Sequence, residues 1–257
     1  MQKQLIFFGK FSSDSSYFNF FIICADINTA KGNTFSQYAV KFTDELGKKL
    51  NSVKRVDVWD VRQDTSVKLA RSTRGTGTRT RVRPSAKIPN WQNFVRFGDN
   101  LSELQDLIAT HIQGYKKEDK TLVTTLADST VSNTIAFNNT NLSPSTHEEA
   151  DYRMILHISD MTRYGCRKIK VLTIDTDVVI ICLAYYHLIN NLNELWLMFG
   201  RGKSKRLIPI HTIAENLGRE KCIALLGFHA ITGCDSVSAF YGRGENTHGK
   251  CGINFQL

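Results

Sequence analysis

Prolines are scarce in this chain, four in 257 residues, and long apolar runs are missing altogether. Few prolines leave helices and strands uninterrupted. With 42% hydrophobic residues the chain can bury the core of one α/β domain, with room for an insertion. No apolar stretch reaches the roughly 20 residues that cross a bilayer. Leu5 to Phe8 is too short, and too soon followed by Lys10, to read as a secretion signal. The six cysteines (Cys24, Cys166, Cys182, Cys222, Cys234, Cys251) form no Cys-x-x-Cys pair. Most lie in apolar runs, where reduced core thiols fit better than zinc ligands or disulfides. The sequons at Asn100, Asn138 and Asn141 are no more than chance supplies. These absences lead to the expectation of an intracellular protein, nuclear ahead of cytoplasmic, with no membrane partner. A Walker-type glycine loop, an Asp-x-Asp-x-Thr run and a Cys-x5-Arg loop are also missing, which excludes P-loop and two phosphatase chemistries. There is no internal repeat.

What is present is charge of both signs, unevenly placed. Lys and Arg outnumber Asp and Glu by 33 to 24, a net charge of +9. Against that basic background, carboxylates gather in three short segments: His147-Glu148-Glu149-Ala150-Asp151, Thr173-Ile174-Asp175-Thr176-Asp177 and Thr232-Gly233-Cys234-Asp235. Each borders an apolar stretch, so each marks a point where a buried element surfaces. Carboxylates gathered there repel one another unless cations bridge them. Two Mg²⁺ ions roughly 3.5–4 Å apart, clamping a phosphodiester, are the usual reason for such a cluster. Distributed Lys and Arg would then hold phosphates while the local acids hold metal.

Periodicity supplies the framework. Tyr17 to Ala25 reads as a buried strand ending at Asp26, and Arg55 to Trp59 as a second ending at Asp60. Between them Phe35, Tyr38, Ala39, Phe42, Leu46 and Leu50 fall at helical spacing behind a Thr34 cap. Lys68 to Lys87 is basic and rich in Gly, Ser and Thr, and reads as a mobile, exposed arm. Asn100 to Ile112 is a helix, Thr121 to Leu126 a strand, and Asp128 to Ser145 a polar connection. Glu148 to Tyr164 is helical, Lys168 to Ile174 a strand, and Asp177 to Ile189 a helix capped by Asp177. Glu194 to Phe199 and Arg206 to Ile210 are strands, followed by helices on either side of Gly218. The alternation predicts an α/β fold with a mainly parallel sheet. Ligands of such sheets bind beyond the carboxyl ends of the strands. Asp175 and Asp177, exposed at such an end and two apart in extended chain, can face one metal. Removing either charge should relieve repulsion without loss of stability.

Glu149-Ala150-Asp151, Asp175-Thr176-Asp177 and Gly233-Cys234-Asp235, with Gly242-Arg243-Gly244 behind, resemble the flap endonuclease and XPG family of the PIN-like superfamily. Val58-Trp59-Asp60 followed by Lys68, Arg71 and Arg74 resembles that family's strand-end aspartate and basic helix. The segments His147 to Asp151 and Gly227 to Asp235 are similar to an invertebrate branch of it. The resemblance implies a three-layer α/β/α domain over 1–257. A basic loop and helical insertion would occupy 68–146, and a truncated start of a duplex-binding element 236–257. It implies Asp26, Asp60, Glu149, Asp151, Asp175, Asp177 and Asp235 as ligands of two Mg²⁺ or Mn²⁺ ions. Lys68, Arg71 and Arg74 would neutralise the scissile phosphate. The activity implied is two-metal, structure-selective hydrolysis of DNA with single-stranded or branched character, with no small-molecule cofactor. The rivals are a catalytically degenerate nucleic-acid-binding module and an interaction protein whose acidic edge meets a basic partner.

Overall fold

A computed structural model describes residues 20–23, 33–58, 78–94, 97–126, 129–138, 140–142, 150–173, 175–200 and 204–232. Its strands are β1 (Phe20–Ile23), β2 (Arg55–Val58), β3 (Thr121–Leu126), β4 (Ser129–Ser132), β5 (Lys168–Thr173), β6 (Glu194–Phe199) and β7 (Arg206–Pro209). They form one sheet in the order β4-β3-β2-β1-β5-β6-β7. The five central strands are parallel, and β4 and β7 close the two edges antiparallel. The helices are α1 (Phe35–Lys49), α2 (Trp91–Phe94), α3 (Gly98–Gly114), α4 (Ala150–Arg163), α5 (Thr176–Tyr186), α6 (Ile210–Leu217) and α7 (Arg219–Thr232). The chain is therefore α/β with a mixed sheet that is parallel at its centre.

Strand alternation divides the helices between two faces. Val56, Val58, Leu122 and Leu172 pack against Phe35, Tyr38, Phe42 and Leu46 of α1 and Leu101, Leu104, Ile108 and Ile112 of α3. Ile169, Val171, Leu195 and Leu197 point the other way, into a core shared with α4, α5, α6 and α7. The α1 stripe follows the spacing of its apolar residues, and the Thr34 hydroxyl accepts the Gln37 N–H at 3.3 Å as its N-cap. Gly47 lies where a Cβ would stand 2.0 Å from the Tyr115 hydroxyl, so a larger residue there would displace the Tyr115 ring. α5 is apolar nearly all round, as a helix enclosed by α4, α6 and α7 must be.

Two elements had no apolar signature. β4 buries only Thr130 among its four residues, and Asn133 fixes its end by accepting the Leu122 N–H at 2.7 Å. It lies inside the stretch read as a polar connection. The second is Thr78 to Lys87, read as mobile but strapped to α1 and α3 by backbone and side-chain bonds.

A charged network sits sealed between β2 and α4. Arg55 donates to both oxygens of Asp57 at 2.6 Å and to Asp160 at 2.8 Å. His157 Nδ1 lies 2.6 Å from Asp57 Oδ2, and the Phe137 ring is 4.8 Å from the guanidinium. Asp57, His157 and Asp160 are wholly buried. Charges so placed are tolerable only when mutually paired.

Candidate functional site

The parallel strands give the sheet a carboxyl edge, and several described elements lead to it. β1 ends there at Ile23, β2 at Val58 and β5 at Thr173. α4 returns to β5 through a tight turn at Tyr164-Gly165, so its carboxyl end is at the amino edge. Its 14 residues rise about 21 Å. The six residues of β5 rise about 20 Å. The first turn of α4, which holds Asp151, is thus level with the carboxyl edge. α7 climbs along α5 and brings His229 to the same level.

At the exit of β5 the Thr173 hydroxyl accepts the Asp175 N–H at 2.9 Å. Asp175 is extended (φ −100°, ψ 128°), and its Oδ1 accepts the Asp177 N–H at 3.0 Å. The α5 cap is therefore Asp175 and not Asp177. An extended residue can turn its carboxylate back onto the open N–H groups of the first turn, whereas Asp177 is already inside that turn. Asp175 is only 6% exposed, contrary to the surface position the sequence suggested. Asp177 remains the more accessible of the two, and its Oδ1 lies 2.9 Å from His229 Nε2. The positive end of α5 stabilises both carboxylates, so two acids in its first turn do not by themselves demand a cation.

Asp175 and Asp177 are thus brought together, with His229 as a third member that the sequence reading missed. His229 lay within Leu225 to Ile231, a run read only as apolar helix, and its partner is 52 residues away in sequence. Asp151 is the second residue of α4, and its backbone alone is described. Asp26, Asp60, Glu149, Asp235, Lys68, Arg71 and Arg74 lie outside the described residues. Among the described residues no three His, Cys, Asp or Glu side chains gather as a metal-holding set. The Asp177 carboxylate and the His229 imidazole are donor types that a divalent cation such as Mn²⁺ takes, and further ligands would have to complete a site around them.

Beside this site β6 ends, and the chain returns antiparallel as β7 at the edge of the sheet. The Gly200 N–H donates to the Thr173 carbonyl at 3.1 Å. Gly200 has φ +100°, and a Cβ there would meet the Ser204 carbonyl oxygen at 2.7 Å. Glycine is required on both counts.

The chain matches no protein-family model, no curated protein and no solved structure. Among the described residues no helix is long and apolar enough to cross a membrane.

Proposed function

We propose that the protein is a metal-dependent, structure-selective nuclease of PIN-like, flap-endonuclease type that hydrolyses phosphodiester bonds in DNA. The observation that carries this reading is the placement of Asp175 and Asp177 on the first turn of α5, at the carboxyl edge of a parallel sheet. The ends of β1, β2, α4 and α7 at the same edge support it, because the other candidate ligands follow or precede those ends in sequence. Asp175 and Asp177, with Asp26, Asp60, Glu149, Asp151 and Asp235, would hold Mg²⁺ or Mn²⁺. Such ions, when bound, polarise a phosphoryl oxygen and make water a better nucleophile at neutral pH. The chain's own contribution is positional. Thr173 and the α5 cap fix the Asp175 rotamer, and His229 restrains Asp177. Lys68, Arg71 and Arg74 would neutralise charge on the phosphate.

A second reading, a catalytically degenerate nucleic-acid-binding module, is favoured by one observation. Both carboxylates already have partners within the protein. Cleavage of end-labelled flap and single-stranded DNA in Mn²⁺ separates the two. Asp175→Asn and Asp177→Asn are the suitable variants, since Asn keeps the shape and the capping ability that Ala would remove. Wild type should cleave, and each variant should lose on the order of 100-fold in rate with its fold intact. An equal rate in EDTA, or an undiminished rate in Asp177→Asn, would overturn the nuclease reading.

A further inference from the structure

The basic segment before α2 is ordered by the helices beneath it. Side chains alternate along it: Arg79, Arg81 and Arg83 are exposed, while Thr80 and Val82 turn inward and are part-buried. No sheet imposes this alternation. The Thr80 N–H donates to Asn100 Oδ1 at 2.8 Å and the Val82 N–H to Glu103 Oε2 at 2.7 Å. Asn100 Nδ2 donates in turn to the Thr78 carbonyl at 2.8 Å. Further on, the Pro84 and Ala86 carbonyls accept the Ser36 and Phe35 N–H groups at 2.9 and 3.1 Å, meeting the open donors of α1.

The three arginines differ in what they meet. Arg79 is bonded to Glu103 and Asn100, so its charge is largely answered within the protein. Arg81 is near enough to Glu103 to help lower the pKa of its carboxyl, but neither it nor Arg83 nor Lys87 forms a direct ion pair among the described residues. With Val82 between them turned inward, the two arginines stand out on one side of the segment, and Arg83 opens the turn in which its carbonyl accepts the Ala86 N–H at 2.9 Å.

This row stands toward the same edge of the sheet as the acidic pair, on the opposite face. The carboxyl ends of α1 and α3 are tied to the amino edge, where Lys117 reaches the Gly47 carbonyl at 3.0 Å and Lys120 the Val53 carbonyl at 2.6 Å. The segment instead grips the opposite ends of both helices, through Phe35, Ser36 and Asn100. It therefore stands toward the carboxyl edge, on the α1 and α3 face.

We propose that Arg81 and Arg83, on backbone held by Asn100 and Glu103, form a docking row for successive phosphates of a single nucleic-acid strand. The choice of nucleic acid as partner rests on the nuclease reading, and the row narrows the substrate to its single-stranded part. A flexible single strand can bend to seat neighbouring phosphates on two arginines, whereas a duplex must present them on a rigid ridge. Because the backbone is already fixed, docking immobilises only the two side chains.

The test is fluorescence anisotropy with a labelled 12-nucleotide oligothymidylate and a duplex of equal length, in EDTA, across a salt series. Wild type is compared with Arg81→Ala/Arg83→Ala and with a charge-matched control, Lys54→Ala/Lys116→Ala, whose exposed lysines lie at the amino edge. The arginine variant should weaken single-strand binding about tenfold at 0.1 M salt. Its slope of log affinity against log salt should flatten by about 1.4, two phosphates at 0.7 each. The control should stay near wild type. Equal losses in both variants, no binding by wild type, or a duplex preference carried by the same arginines would overturn the row. EDTA removes hydrolysis from the measurement, so an inactive protein that binds through the row ends only the nuclease reading. An active nuclease whose arginine variant binds like wild type ends only the row.

Discussion

Burial alone would raise the Asp57 carboxyl, but Arg55 and His157 outweigh it and hold its pKa below the ordinary aspartate range. A carboxyl with a depressed native pKa adds stability that is complete above its unfolded value, about 3.9. That stability is lost as pH falls through the lower native value. Asp57→Asn should therefore cost about 3–5 kcal/mol at pH 7. The gap to wild type should narrow once urea unfolding is repeated below about pH 3.9. A gap independent of pH would mean that packing, not charge, is what Asp57 supplies. Lys170 offers the complementary case: fully buried in β5, its ammonium is pushed down to about 8 by desolvation. A lysine with a lowered native pKa destabilises the fold while charged. Wild type should consequently gain stability as pH rises from about 8 toward 10.4, the ordinary lysine value. Lys170→Met should lack that part of the rise when thermal midpoints are compared at the two ends of the window. Parallel curves would refute the assignment.

Among the elements, α3 does more than cover the sheet. Buried Asn100 holds the Thr78, Thr80 and Phe94 backbone together through bonds of 2.8–2.9 Å. Asn100→Ala leaves those groups unsatisfied and should cost about 1–3 kcal/mol. It should also open the chain at Arg79 and Arg81 to trypsin under native conditions, while wild type resists there; the Arg83–Pro84 bond is not a tryptic site. An unchanged tryptic pattern would mean that Glu103 and the α1 contacts suffice. Asn100 is also a sequon residue, and its burial in this strap leaves no room for a glycan. The hairpin from β6 to β7 has its own test: Gly200→Ala forces a side chain into positive φ against the Ser204 carbonyl. A loss of about 1–3 kcal/mol in chemical denaturation is expected. A neutral result would show that the hairpin relaxes around the change.

For the whole molecule the measurable quantity is linkage. A cation that binds the folded site and not the unfolded chain raises stability by about 2.7 kcal/mol at 100 times its dissociation constant. For a protein of this size that corresponds to a midpoint shift of about 5–10 °C. Millimolar Mn²⁺ should produce such a shift in wild type and less in Asp177→Asn, read by scanning calorimetry. No shift in wild type would argue against a preformed metal site.

The sequence by itself determined most of the elements, though not β4 or α2, because apolar spacing follows the local geometry of helix and strand. Phe35 to Leu46 specified α1 behind Thr34, and Thr121 to Leu126 and Glu194 to Phe199 specified β3 and β6 to the residue. It also marked Asp175 and Asp177, since acids at a strand exit stand out against the apolar run before them. The capping role was assigned to the wrong aspartate, because that depends on a backbone turn that two neighbouring acids cannot reveal. Only the tertiary structure decided what meets across sequence distance. Asp57 and His157 are 100 residues apart, and Asp177 and His229 are 52. Each pair forms because helices laid on a twisted sheet bring distant polar atoms within hydrogen-bond reach. A pattern read along the chain carries no such distance, and so the described part of the arm read as mobile, Thr78 to Lys87, proved to be held in place by α1 and α3.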